Sequence, residues 1–318
     1  MTDFDFQPAE RPTFYFIGVT TKKSSIMKVF PEWAKHLELD APIVGIDCQI
    51  HDDAEVYRSV VRFLKEDELS LGGLVTTHKM DLLEAARDLF DELDHYADTL
   101  GEISCISKRK GQLHGSAKDP ITSGLSMDAF VPEGHWKRTG GELCLVGAGG
   151  SSLALTVYVM EHKPPEDRPS RIVVTNRSKP RLESMKAIHD RMNSGIPVEY
   201  HHCPEASQND EIVGRLAPGS LVANATGLGK DAPGSPLTDD VVFPRDGFAW
   251  DFNYRGELVF LEQARRQADE RSIHVEDGWR YFIHGWTSVI ADVFNIEIPA
   301  SGPEFEELSK IAAEARRK

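Results

Sequence analysis

Cysteine is scarce: there are four in 318 residues, Cys48, Cys105, Cys144 and Cys203, with no CxxC pair. This excludes a disulfide framework and fits free thiols in a reducing, cytoplasmic setting. Cys144 lies in an apolar segment, where a thiol behaves as a small hydrophobe. Positive charge is also short. The 36 Lys+Arg against 51 Asp+Glu leave a net −15, which repels phosphate backbones, so no nucleic-acid partner is expected. A local basic pocket for one small anion remains compatible with this balance. Long hydrophobic runs are missing as well. The uncharged stretch Leu143 to Met160 is cut by Gly147, Gly149, Gly150, Ser151 and Ser152, so no membrane span is expected. The opening Met1-Thr-Asp-Phe-Asp-Phe-Gln-Pro has no basic n-region or apolar h-region and does not read as a secretion signal. His201-His202-Cys203 has no second cluster to complete it, so no metal is expected.

What is present is an alternation of strand-like and helix-like segments, which predicts α/β architecture with parallel sheets. In the first half, strands are expected at 14–19, 42–47 and 71–76, with helices at 26–39, 55–64 and 81–93. Two further strands, 103–108 and 112–116, flank the turn Arg109-Lys110-Gly111. The polar, glycine-containing stretch 132–141 reads as a linker. Beyond it, strands are expected at 143–146, 171–175, 198–200, 221–224 and 249–252, a helix at 151–160, and two closing helices at 279–294 and 303–317. The length predicts two domains.

The sharpest local signal is Leu143-Cys-Leu-Val-Gly-Ala-Gly-Gly-Ser-Ser-Leu-Ala154, a strand running through a glycine turn into a helix. Glycines let the backbone approach a pyrophosphate, and the helix start supplies N–H donors and positive dipole. Gly147, Gly149, Gly150 and Ser151 are the candidate contacts, with Ser152 at the third glycine position of GxGxxG. The next strand ends in Asn176-Arg177-Ser178, where an NAD site carries an acid. A guanidinium with two small donors suits a 2′-phosphate, so NADP is expected in preference to NAD. Asn224-Ala-Thr-Gly-Leu-Gly229 and Asp251-Phe-Asn-Tyr254 also end strands, each readable as an ordinary turn or as a crevice wall. In the first half, His78-Lys79 follows the third strand and Asp119 follows the hairpin. A lysine beside a substrate hydroxyl can exchange its proton, and an aspartate can orient the amine. Taken alone, Lys79 reads as a surface lysine.

In order, these elements resemble the shikimate dehydrogenase family from Gly18 to about Phe294. The resemblance implies an N-terminal α/β substrate domain, 1–131 with 280–318, and a C-terminal doubly wound Rossmann NADP-binding domain, 132–279, with a cleft between them. It implies Lys79 and Asp119 as the proton-transfer pair, Asn224, Thr226 and Gly227 on the cofactor, and Gly278 near the nicotinamide. Its substrate positions fall on Ser24, Thr76, Ser104, Tyr254 and His284, but several are altered. Ile26 replaces the second serine of the family's Ser-x-Ser. Ser104 replaces an asparagine, Ala117 and Lys118 precede Asp119, and Gly285 replaces a glutamine beside His284 and Trp286. Each lost partner costs a buried substrate hydroxyl about 1–3 kcal/mol. The implied function is therefore NADP-dependent interconversion of an alcohol and a ketone on a small polyhydroxylated substrate, cyclic and possibly anionic, other than or in addition to shikimate. A monomer or homodimer is expected. A metabolite-sensing relative without turnover and a C1-folate-type dehydrogenase are the competing readings; retention of both Lys79 and Asp119 favours the enzyme of the shikimate type.

Overall fold

The computed structural model describes residues 6–230 and 232–317. These form two compact units, 6–118 with 285–317 and 119–284.

The first unit opens with β1 (Thr13–Gly18), α1 (Ile26–His36), β2 (Ile43–Asp47), α2 (Ala54–Glu66), β3 (Ser70–Val75) and α3 (Lys79–Ala86). It continues with β4 (Glu92–Leu93), α4 (His95–Leu100), β5 (Cys105–Arg109) and β6 (Gln112–Ser116). The strands form one sheet ordered β2-β1-β3-β5-β6-β4. β1 runs parallel to both β2 and β3, whereas the β5–β6 hairpin is antiparallel. Its turn is made by Lys110 and Gly111, both at positive φ, the conformation a tight hairpin needs. The apolar stripe of α2 is buried on one face: Val56, Val60, Val61 and Leu64 are all buried, as their spacing predicts.

The sequence-based helix at 81–93 is corrected. α3 stops at Ala86, a 3-10 turn covers Arg87–Leu89, and β4 pairs with β6. The cause is capture by the hairpin: Asp91 N–H donates to Leu113 O, and Asp94 N–H to Gly115 O.

The second unit contains α5 (Asp119–Asp128), α6 (His135–Thr139), β7 (Leu143–Val146), α7 (Gly150–His162), β8 (Ile172–Asn176), α8 (Lys179–Met192) and β9 (Val198–His202). Then come α9 (Ala206–Val213), β10 (Leu221–Asn224), β11 (Phe248–Asp251), α10 (Val259–Arg265), α11 (Ala268–Arg271) and β12 (His274–Glu276). α12 (Trp279–Phe294) begins in this unit and ends in the first, where α13 (Pro303–Arg317) also lies. The sheet is parallel throughout, ordered β12-β11-β10-β7-β8-β9. Numbered within the unit and read from β9, this is 3-2-1-4-5-6, the doubly wound dinucleotide-binding order. Burial on both faces explains why its strands are short apolar runs: β7, β10 and β11 are fully buried.

The stretch 132–141 is not a bare linker. α6 occupies it, with His135 and Trp136 buried. The His135 ring meets Gly219 O through Nε2 at 2.7 Å and packs edge-on against Phe248, contacts that local composition does not encode. The first unit also ends earlier than 131. α5 belongs with the second because it packs on α7, where Gly124 lies so close to the Tyr158 ring that a Cβ would sit 2.2 Å from it. Trp286 is 7% exposed, edge-on to Phe16 and Phe14 in the first unit's core.

Among the described residues, no helix is long and apolar enough to cross a membrane. The four cysteines are free and buried, and burial pushes the Cys105 and Cys144 thiols up to about 12.

A pH-dependent stability term is built into the second unit. Thr156 Oγ1 donates to Leu153 O at 2.8 Å, so His189 Nε2–H donates to Thr156 Oγ1 at 2.7 Å and Nδ1 accepts from Tyr200 at 2.6 Å. The ring is thereby held neutral, and burial pushes His189 down to about 4 against the opposing charge of Asp190. The unfolded chain binds the proton more readily, so stability falls as pH drops from about 6.5 toward 4. His189→Gln, which can keep both hydrogen bonds, is expected to lose about 2 kcal/mol less stability than the parent between pH 7 and pH 5. Urea unfolding at the two pH values checks this; parallel losses would refute it.

Candidate functional site

The carboxyl ends of β7, β8, β9 and β10 in the second unit surround a cavity of about 550 Å³. Its lining includes Gly147, Gly149, Asn176, Arg177, Ser178, Thr226 and Gly227 of the sequence-derived cofactor residues. Gly147 adopts φ +111°, and a Cβ there would lie 2.9 Å from Ala225 O. No heavy atom lies within 4 Å of where a Cβ on Gly149 would sit, which leaves that backbone open to a ligand. Ser152 explains how the third glycine is dispensable: its hydroxyl donates to Gly147 O at 2.5 Å and pins the turn from beneath. Gly150 and Ser151 form the first turn of α7, and the turn N-terminal to them opens on the cavity. Gly147→Ala combines positive-φ strain with a backbone clash, costing about 1–3 kcal/mol. We expect it to weaken dinucleotide binding by at least about tenfold, measured by fluorescence titration; unchanged affinity would count against the turn as the contact surface.

Arg177 is exposed at the cavity rim, with Ser178 at the start of α8. Arg181, one turn into α8, lines the same wall. Sequence reasoning missed it, although its four-residue spacing from Arg177 was a readable signal. Two guanidiniums and a helix start make this end of the cavity a local anion site within a strongly acidic chain.

Asn224 lies beneath the lining. Its Nδ2 donates to Asp251 Oδ2 at 3.0 Å, while its Oδ1 accepts from Thr226 N–H at 3.0 Å and Thr226 Oγ1 at 2.7 Å. Asn253 completes the lattice: its N–H donates to Asp251 Oδ1, and its Nδ2 donates to Thr226 O. These bonds fix the backbone of 224–228, so Asn224 shapes the loop that Thr226 and Gly227 present. Burial pushes the Asp251 carboxyl up to about 6, against the lowering effect of its Asn253 and Asn224 donors. Gly278 is buried, donates its N–H to Asn253 O at 3.0 Å, and leaves no room for a Cβ, which would lie 2.0 Å from Phe252 O. It is thus a close-packing glycine that ties the start of α12 to the end of β11. Tyr254 packs on Phe282 and Trp279 in the same region, with centroid distances of 4.5 and 5.7 Å. His284 is 3% exposed, and burial with the nearby Arg280 charge pushes it down to about 4, so it is neutral near pH 7.

In the first unit, Thr76, Lys79 and Ser104 come together. Val75 N–H donates to Ser104 O, and Ile103 N–H donates to Lys79 O. Thr77 adopts φ +63°, a strained conformation for a β-branched residue, in a turn closed by His78 N–H to Thr76 O at 2.6 Å. His78 is buried with Nδ1 3.1 Å from Tyr57 OH, so the turn and ring together set Lys79 as the first residue of α3. Ser104 is 4% exposed and its Oγ accepts from Lys118 N–H at 2.8 Å. Lys118 Nζ also pairs with Asp292, which Arg109 holds at 2.6 Å. Burial raises the Asp292 carboxyl, but these cations outweigh it and keep it below its usual range. The clamp on Lys118 fixes the residue immediately before Asp119, which begins α5 in the second unit. Ser24 is half-buried one residue before the Ser25 N-cap of α1, in a turn that Asp47 holds through Thr21 N–H and Oγ1.

No protein-family profile matches the chain. The chain is 27% identical over 242 residues to a shikimate dehydrogenase (NADP(+)) of Methylocella silvestris, covering 75% of this chain and 76% of that protein. A Streptococcus pneumoniae shikimate dehydrogenase (NADP(+)) is 26% identical over 180 residues, 56% of this chain and 59% of that protein. Among solved structures, a quinate dehydrogenase from Corynebacterium glutamicum in complex with NAD superposes with a TM-score of 0.73 at 18% identity, covering 96% of this chain and 99% of that one. A 5-ketofructose reductase of Gluconobacter superposes at 0.70 with 16% identity, covering 96% and 98%. At these identities the structural matches show a shared fold.

Proposed function

We propose that this chain, a divergent shikimate dehydrogenase-like protein, is an NADP-dependent dehydrogenase acting on a CH–OH group. The observation that carries the reading is the cavity at the carboxyl edge of a 3-2-1-4-5-6 sheet, running from the glycine turn at Gly147 to Arg177, Ser178 and Arg181. The open backbone at Gly149 suits a pyrophosphate, and the two arginines suit a 2′-phosphate better than a bare ribose. NADP is the expected cofactor, and when bound it supplies or accepts the hydride.

The chain's own part is the proton. Lys79 Nζ protonates the carbonyl oxygen as it gains electrons and takes the proton back in the reverse direction, and Asp119 orients the amine. Ser24, Thr76, Ser104, Tyr254 and His284 bind the substrate. Substituted shikimate-binding positions argue for a small polyhydroxylated ketone or alcohol, cyclic and possibly anionic, other than or in addition to shikimate. The protein works in the cytoplasm as a monomer or homodimer. The test is NADPH fluorescence titration followed by a screen of cyclic polyols and their ketones at 340 nm. We expect saturable NADPH binding and turnover of at least one member. Absence of NADPH binding would overturn the reading, and binding without turnover of any member would favour a metabolite sensor.

A further inference from the structure

The two sheets of the described residues have four outer strands, β2 and β4 in the first unit and β9 and β12 in the second. An outer strand offers unpaired N–H and C=O groups to another chain, and proteins blunt such edges with short length, charge or proline. Three of these edges are blunted. β4 is two residues long, β12 is three residues with His274 and Glu276 at its ends, and β9 carries Glu199, His201 and His202. β2 is not: Ile43-Val-Gly-Ile-Asp47 has no charge before its last residue, and Val44 is 42% exposed.

Pro42 O accepts from Phe14 N–H and Cys48 N–H donates to Gly18 O, so by the alternation of a parallel ladder Val44 and Ile46 also bond toward β1. The N–H and C=O groups of Ile43, Gly45 and Asp47 turn to the open edge, and no hydrogen bond among the described residues reaches them. Pro42 belongs to the inward-facing set, so its missing N–H leaves the outer edge unbroken. The two ends of this edge differ in chemistry. At the amino end an open groove of about 450 Å³ lies between α1 and the chain entering β2, lined by Met27, Phe30, Ala34 and Leu39, with Arg11 and Lys35 adding positive charge. Beyond the carboxyl end Ile50 stands 60% exposed, followed by Asp52 and Asp53.

We propose that β2 pairs antiparallel with β2 of a second copy of this chain, about a two-fold axis through Gly45, joining the two sheets into one. That register sets Gly45 opposite the partner's Gly45 and Ile43 opposite the partner's Asp47, so every outward N–H and C=O of both strands gains a partner. Val44 meets the partner's Ile46, a cross-strand pair of β-branched side chains that covers the exposed valine. Continued past the strand ends, the register carries Ile50 to the partner's groove and the acids behind it to the basic side chains there. An apolar knob with acids at one end matches an apolar groove with bases at the other. A two-fold axis requires that match, and an unrelated extended peptide lacks it. The pairing consumes the edge, so assembly stops at two. It is independent of the chemistry assigned to the second unit's cavity, because every residue it uses lies between Arg11 and Asp53.

Sedimentation equilibrium of the full chain across roughly 1–100 µM tests this. The parent is expected to reach twice the chain mass, with no larger species. Ile43→Pro removes one outward N–H and sets a ring in the pairing, while costing the single chain little because that N–H faces solvent there. It should weaken association by at least about 100-fold. Ile50→Asp, at an exposed site, puts a charge in place of the apolar knob and should weaken association by at least about tenfold. It keeps the test open should the proline variant fail to fold, and circular dichroism establishes the fold of each. A parent that remains a single chain at roughly 100 µM, one that grows beyond two chains, or folded variants that associate as tightly as the parent overturn the proposal.

Discussion

Lys79→Ala is expected to cut turnover by about 10²–10⁴ while NADPH affinity stays within a few-fold. The expectation starts from the backbone. A strained Thr77, a short turn and a buried His78 place Lys79 at the first position of α3, and such strain is common where a side chain must be aimed. Alanine removes the amine that exchanges the substrate proton but leaves the second unit's cavity intact, because every residue lining that cavity lies within 146–236. A loss in kcat without a matching loss in NADPH affinity therefore separates chemistry from cofactor binding. Lys79→Arg tests the same point from the other side: it retains charge but gives up a proton with difficulty, so it should rescue little. Unchanged turnover in Lys79→Ala would remove the lysine from the mechanism.

The second large effect concerns the choice of dinucleotide. Arg177→Ala should weaken NADPH by about 10–100-fold and NADH by no more than about threefold, since a hydrogen bond to a charged group is worth about 1.5–3 kcal/mol. Arg181→Ala should act in the same direction, because both arginines line the same end of the cavity. The contribution is electrostatic and exposed at the rim, so raising ionic strength should narrow the NADPH preference of the parent protein. Equal losses for the two dinucleotides would assign the arginines to general packing and contradict the 2′-phosphate reading.

Much of this was legible in the sequence where local chemistry alone decides the structure. β7 and β10 match their expected bounds because a buried parallel strand is a short apolar run ended by a glycine or polar turn. The Gly147 turn and the Asn176-Arg177-Ser178 strand end were likewise readable, and they line one cavity. α8 went unread because it buries only Leu182, Met185 and His189, too thin a stripe to stand out among its charges. α6 looked like a linker because its packing partners, Phe248 and Gly219, lie far along the chain. The place of Trp286 is likewise set by distant partners, since its ring belongs to a core built with Phe14 and Phe16.

The most direct measurement is deuterium transfer from NADPH labelled at nicotinamide C4, using a panel of cyclic polyhydroxylated ketones and mass spectrometry of the products. The account predicts one deuterium on the new carbinol carbon of at least one product with the parent protein, and loss of that product with Lys79→Ala. Tight NADPH binding with no labelled product from any ketone, or labelling that Lys79→Ala leaves unchanged, would contradict it.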